Sequence, residues 1–177
     1  ADDFSNSRNT NITGRVSRQL RDLGSMFFRG SYFGEARNNG TPIQKNRTHL
    51  RQFSLGGDFN TSNFVTRISE SLTDSKISFR VFGGTQGFDQ TFSAVADDRN
   101  SENIVRLQNV PSQHFGISGQ FLTVYDNHTI LGGLEANEVR GSSEEIGFFG
   151  GAATTDSGSG GRERTYGLYF QDFLKIG

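Results

Sequence analysis

Three histidines are the residues in this chain best equipped to do chemistry: His49, His114 and His128. None lies in an HxH or HExxH spacing, so they do not read as a zinc set. His114 follows Pro111 in a polar stretch, and His128 follows Tyr125-Asp126-Asn127 in what reads as a hairpin turn. An imidazole on a loop above a Phe-rich surface can bind haem iron axially while the rings cover the porphyrin. His128, His114 and Tyr125 are therefore the candidate haem-binding residues, with Tyr32 and Met26 as lesser ligands. The bland reading of each is a solvated loop residue or a wall residue.

The remaining reactive side chains give no catalytic constellation. Asp97–Asp98 and Glu144–Glu145 are paired carboxylates, but acid/base work needs a shifted pKa inside a cleft, and both lie in polar stretches. Gly83–Asp89 is a single imperfect likeness to a calcium nonapeptide, without the stacked repeats that build such sites. No Gly-x-Ser-x-Gly elbow is present, and Ser157-Gly158-Ser159-Gly160 reads as flexible linker. The absence of cysteine removes disulfides, thiolate metal sites and cysteine catalysis. No enzyme is expected.

The chain's bulk fits a binding scaffold. It has 177 residues, 23 Gly, 17 Phe and only 2 Pro. A glycine-bent sheet with a Phe-dominated apolar side accounts for that mixture. The net charge of −1 supplies no field for nucleic acid. No apolar run reaches the roughly 18 residues of a membrane helix. The first residues, ADDFSNSRNTN, read as a mature end left by a removed signal peptide or as a trimmed tether.

The elements that must position these side chains are mostly strands. Arg15–Leu23 spaces Val16, Leu20 and Leu23 at helical intervals, with Gly24 as a stop, and predicts one short helix. Period-two alternation then runs through 25–34, 50–59, 63–68, 76–82, 88–95, 115–125, 130–139, 146–154 and 165–173. Segments 35–47, 96–103, 107–114 and 154–164 read as loops. Residues 132–151 read as a hairpin, with a polar turn between two strands. The expected fold is all-β: a soluble antiparallel β-barrel of eight strands (eight to nine) with a short N-terminal helix, over 25–177, preceded by a tail and helix over 1–24. A membrane barrel shares the period. The soluble form is expected because the face opposite the Phe residues carries mostly Ser, Gln, Arg, Thr and Glu.

Gly147-Phe148-Phe149-Gly150-Gly151-Ala152-Ala153, the strand Tyr166–Phe173, Ile117-Ser118-Gly119-Gln120-Phe121 and Phe28-Arg29-Gly30-Ser31-Tyr32-Phe33-Gly34 together resemble the barrel domain of the transferrin-binding protein B superfamily, which includes factor H-binding protein. The Phe pair lacks the family's spacer residue, and Glu138-Val139-Arg140-Gly141 stands before the pair where the family has Glu-Val/Leu-x-Gly after it. The resemblance implies an eight-stranded barrel that binds through loops, at the surface of a Gram-negative bacterium or secreted. Its relatives bind host transferrin, complement regulators or haem. The expected function is capture of a protein partner or nutrient, in iron or haem acquisition or host interaction. A secreted haem-binding protein is the alternative. The expected partner is thus a protein or haem, with no nucleic acid and no membrane-spanning segment, on a monomer.

Overall fold

The computed structural model describes residues 5–21, 24–61 and 73–176. These form one antiparallel sheet of seven strands in chain order. β1 (Ser5–Gln19), β2 (Ser25–Asn39) and β3 (Arg47–Thr61) are 15 residues each. β4 (Thr73–Val95), β5 (Glu102–Tyr125), β6 (His128–Phe149) and β7 (Ala152–Leu174) run to 22–24 residues. At a rise of about 3.3 Å per residue, the long strands extend about 75 Å. β1 and β7 each have one neighbour, so the sheet is open at both edges among the described residues.

The expected N-terminal helix is not formed. Residues 15–19 belong to β1, and every residue of β1 faces a partner in β2, from Ser5↔Asn39 to Gln19↔Ser25. Three apolar residues at helical spacing are a weak signal. Thr13 and Val16 fit an extended backbone, and the β2 ladder takes up the peptide groups that face it, residue by residue along the segment. The segment expected as a tail is thus sheet over 5–19. Residue 23 of that helix, the strand 63–68 and Ser62 of the turn before it lie outside the described residues.

Several expected loops are strand interior. The two expected strands within 76–95 are one, β4. Residues 107–114 lie inside β5, where the β5–β6 ladder skips Val110 and Pro111 because proline has no N–H to give. Residues 154–164 lie inside β7, held by β6 along their length. The 132–151 stretch is not a hairpin about a polar turn. β6 runs through Arg140-Gly141-Ser142-Ser143, and the chain reverses at Gly150-Gly151 instead. Both glycines there have positive φ, +60° and +84°, the conformation of a two-residue hairpin turn closed to most side chains.

Glycine and aromatic residues are matched across strands. A Cβ on Gly116 would stand 2.3 Å from the ring of Phe82, its direct partner on β4. A Cβ on Gly133 would stand 2.3 Å from the hydroxyl of Tyr169, its partner on β7. Gly57 meets Phe28 in the same way at 2.8 Å. Each aromatic side chain occupies the space that a side chain on the facing glycine would need. That pairing is the physical use of so many Gly and Phe in one chain.

Candidate functional site

Directly paired residues share a face, so the register sorts every strand residue onto one of two faces. One rung reads Val16, Phe28, Gly57, Val81, Ile117, Ala136 and Tyr166 from β1 to β7. Its face also carries Ile12, Met26, Leu55, Phe59, Phe79, Phe115, Phe121, Leu134, Leu168 and Phe170. The opposite face carries Ser31, Ser54, Asp58, Arg80, Gln120 and Glu135, with Phe27, Phe82 and Tyr169 among them.

The apolar face is uncovered. Among the described residues no hydrophobic side chain is buried, and Leu168 is 87% exposed. The accessible surface is 12377 Å² at 19.5 kDa, whereas a compact monomer of that mass exposes about 8,500 Å². A groove of about 1220 Å³ runs along this face between Val16, Phe28, Leu55, Phe79, Val81 and Phe115.

The apolar side chains form a band with two borders. On β5 it runs from Phe115 to Tyr125, about the 9–11 residues that a tilted strand needs to cross a bilayer. Toward the Gly150-Gly151 end, charged groups replace it on the same face. Arg51 donates to Asp89 at 2.7 Å, and Asn109 donates to Asp89 at 2.5 Å. The Asn109 amide, ahead of the Arg51 guanidinium, holds the Asp89 carboxyl below its usual range, against a smaller upward push from burial. On β6 and β7, Arg164 donates to Glu138 at 2.5 Å and Arg140 donates to the same carboxylate. Toward the Asp126-Asn127 turn the band stops short of Arg18 on β1, and on β6 and β7 His128 meets Asp172 at 2.7 Å within its last rungs.

The borders do not run straight across the sheet. The charged-end border falls from Ile12 on β1 to Tyr166 on β7, two rungs lower. The other falls from Val16 on β1 to Leu174 on β7, four rungs lower. Two to four rungs of two residues are about 13–26 Å, and the six steps between strands are about 29 Å, so the band slants by roughly 25–40°. Strands of membrane barrels tilt by about 35–45°.

Beyond the charged border polar residues predominate, although Leu107 and Ile146 are still paired on the same face. β7 reads TTDSGSGGRER over 154–164, and β6 reads RGSSEE over 140–145. Gln108 donates to Glu145 at 2.7 Å, and Arg106 lies 3.5 Å from it. At this end the 40–46 connection is tied down by Glu102, which is 1% exposed. Its carboxylate accepts from the backbone N–H groups of Ile43 at 3.1 Å and Lys45 at 3.2 Å, and from the Ser93 hydroxyl. The Lys45 ammonium donates to the Glu102 carbonyl at 2.8 Å. Burial pushes this carboxyl up, but the Ser93 and Thr41 hydroxyls with the two N–H groups outweigh it and hold it below its usual range.

The expected ligand residues are placed as follows. Tyr125 and His128 are direct partners flanking the Asp126-Asn127 turn. His114 lies in β5, eleven residues from Tyr125 and on the polar face, about 36 Å along the strand. His128 and Tyr125 come together, and His114 is on the other side of the sheet. His49 is paired with Asp89. Tyr32 and Met26 stand in the apolar band. Glu144 and Glu145 point to opposite faces, as neighbours on a strand must, and Asp98 caps its own turn by accepting from Asn100 N–H at 3.0 Å. Gly83–Asp89 is strand interior in β4. Among the described residues no three acidic, His or Cys side chains cluster as a metal site. The Gly147–Gly151 passage is the β6–β7 turn, far from the band. Sequence reading missed Glu102, whose signal emerges only when the 40–46 connection folds back across the sheet.

Among the described residues no helix is long and apolar enough to cross a membrane, a statement that does not bear on strands. No family model matches the chain, and no curated protein does. Among solved structures, the chain is similar to the ferric-catecholate import receptor Fiu from E. coli K12 in its open form, with a TM-score of 0.64 at 10% identity. The likeness covers 93% of this chain and 33% of that receptor, so the chain spans a third of its length. At that identity the likeness concerns the fold alone.

Proposed function

We propose that this chain is the wall of a membrane-embedded β-barrel, with its apolar face against lipid and its polar face toward a barrel interior. The observation that carries the reading is the slanted band. On β5 it is about one bilayer tall, and the band is bounded by charge toward the Gly150-Gly151 end and inclined as tilted strands in a flat bilayer require. The opposite face, with Ser31, Ser54, Asp58, Arg80, Gln120 and Glu135, suits a polar barrel interior. In this reading the open edges of β1 and β7 pair with further barrel strands, because a bare edge cannot sit in hydrocarbon.

The polar extensions of β4–β7 then stand outside the membrane and present the 40–46 and 96–101 connections to incoming ligand. The function that fits is nutrient capture at the outer membrane of a Gram-negative cell, as a receptor rather than an enzyme. The likeness to a ferric-catecholate import receptor supports an iron chelate as the class of ligand. Envelope fractionation of the producing cell tests the membrane reading. An integral barrel stays in the pellet through alkaline carbonate and urea washes and leaves only with detergent. Release by the washes would return the chain to the soluble or lipid-anchored surface proteins.

A further inference from the structure

We infer that Arg140 and Arg162, on the charged border of the apolar band, form a binding site for the phosphate of an anionic membrane lipid; the inference rests on the membrane reading above. The two arginines are direct partners on β6 and β7 and share the apolar face. Arg164 and Glu138 form the next rung toward the band, and Ala136 with Tyr166 the one after. Along β7 the face therefore reads Arg162, Arg164, Tyr166, Leu168, Phe170: guanidinium, guanidinium, phenol, then hydrocarbon. That is the order in which a lipid presents phosphate, glycerol interface and acyl chain.

Charge decides the occupant. Three guanidiniums and one carboxylate leave a surplus of two positive charges on this patch. Arg164 is committed to Glu138, and Arg140 gives that carboxylate its Nε–H, with its terminal nitrogens in no ion pair or side-chain hydrogen bond among the described residues. Arg162 is exposed and forms no ion pair within 4.0 Å among the described residues. Two planar guanidiniums on adjacent strands stand about 5 Å apart at the backbone, a spacing one phosphate can bridge. A soluble anion could meet the same donors, but only a lipid places its acyl chains on Leu134 and Leu168 at the same time.

The test compares folding of the full protein into vesicles of phosphatidylcholine with and without phosphatidylglycerol. Each arginine near an anionic surface contributes roughly fivefold in the folding equilibrium. The native protein should therefore favour the anionic vesicles by roughly 25-fold more than the Arg140→Gln/Arg162→Gln variant does. The Arg140→Lys/Arg162→Lys variant should retain most of the preference. Arg29→Gln, on the polar face, should leave it unchanged. Glycerol phosphate added in solution should not abolish it. Equal folding of native and Gln variant in both vesicles overturns the site while the membrane reading stands. Loss of the preference to glycerol phosphate overturns the lipid as its occupant. Failure to insert into either vesicle overturns the membrane reading and the site together.

Discussion

Leu134→Arg distinguishes lipid from water at the middle of the band. Leu134 lies between Gly119 on β5 and Leu168 on β7, and it is 53% exposed. If water already wets half of this side chain, an arginine there changes stability by no more than about 0.5 kcal/mol, the usual range for surface substitutions. If lipid covers it, the guanidinium must enter hydrocarbon at a cost of about 2–4 kcal/mol near the midplane. That lowers the folding equilibrium by about 30- to 700-fold. The control is Gln120→Arg, at a similar depth but on the opposite face, where a charge meets the barrel interior and costs less than about 1 kcal/mol. Urea titration of the protein in phosphatidylcholine vesicles measures both. A Leu134→Arg midpoint within error of the native one, or equal losses for the two variants, would refute the facing of the sheet.

Three further outcomes follow from the geometry. Glu102→Ala should free the 40–46 connection, because it removes the one carboxylate oxygen that accepts from both the Ile43 and Lys45 N–H groups; the loss is about 1.5–3 kcal/mol, read as faster proteolysis at Lys45 and Arg47. The native connection should loosen in acid. The Glu102 carboxyl is depressed in the folded state, so its stabilisation is present above its unfolded value and fades as pH falls below about 4; hydrogen exchange of Ile43 and Lys45 that is flat from pH 7 to 3, once corrected for intrinsic rates, would contradict this. Gly116→Val should cost about 1–3 kcal/mol by driving Phe82 off the strand, and Phe82→Ala should recover part of it in a double-mutant cycle.

The sequence showed strands but not their lengths. Periodicity found the strand cores at 76–82, 115–125 and 165–173 because each alternates cleanly between apolar and polar. It lost the strands where clean alternation stopped: 107–114 and 154–164 carry few apolar residues, and such a stretch reads as loop. Pro111 and the Gly/Ser run at 157–161 strengthened that misreading, although the β4 and β6 ladders hold both segments. The helix over 15–23 came from three apolar residues, two of which, Val16 and Leu20, are four apart and so share a strand face equally well. The Asp126-Asn127 turn was legible because Tyr125 and His128 flank two turn-forming residues.

The direction of the apolar face was not legible at all. Alternation says that one face avoids water and leaves open whether protein or lipid covers it. A polar opposite face, which favoured a soluble barrel in the sequence, is equally the lining of a membrane barrel. The slant resolves only after register aligns seven strands, since no single strand contains it. Glu102, Asp89 and Glu138 share this property: each gathers partners from strands 20 to 60 residues away.

Single-cysteine labelling along adjacent residues tests the central claim most directly, and the chain's lack of native cysteine leaves each label unambiguous. Labels at Leu55, Ile117 and Leu134 should be quenched by brominated lipid and shielded from aqueous reagent. Labels at Ser54, Ser118 and Glu135 should show the reverse. Labels at Ser142 and Ser159, beyond the charged border, should be free of lipid on either face. Uniform accessibility along 115–125, without alternation, would contradict a lipid-facing band.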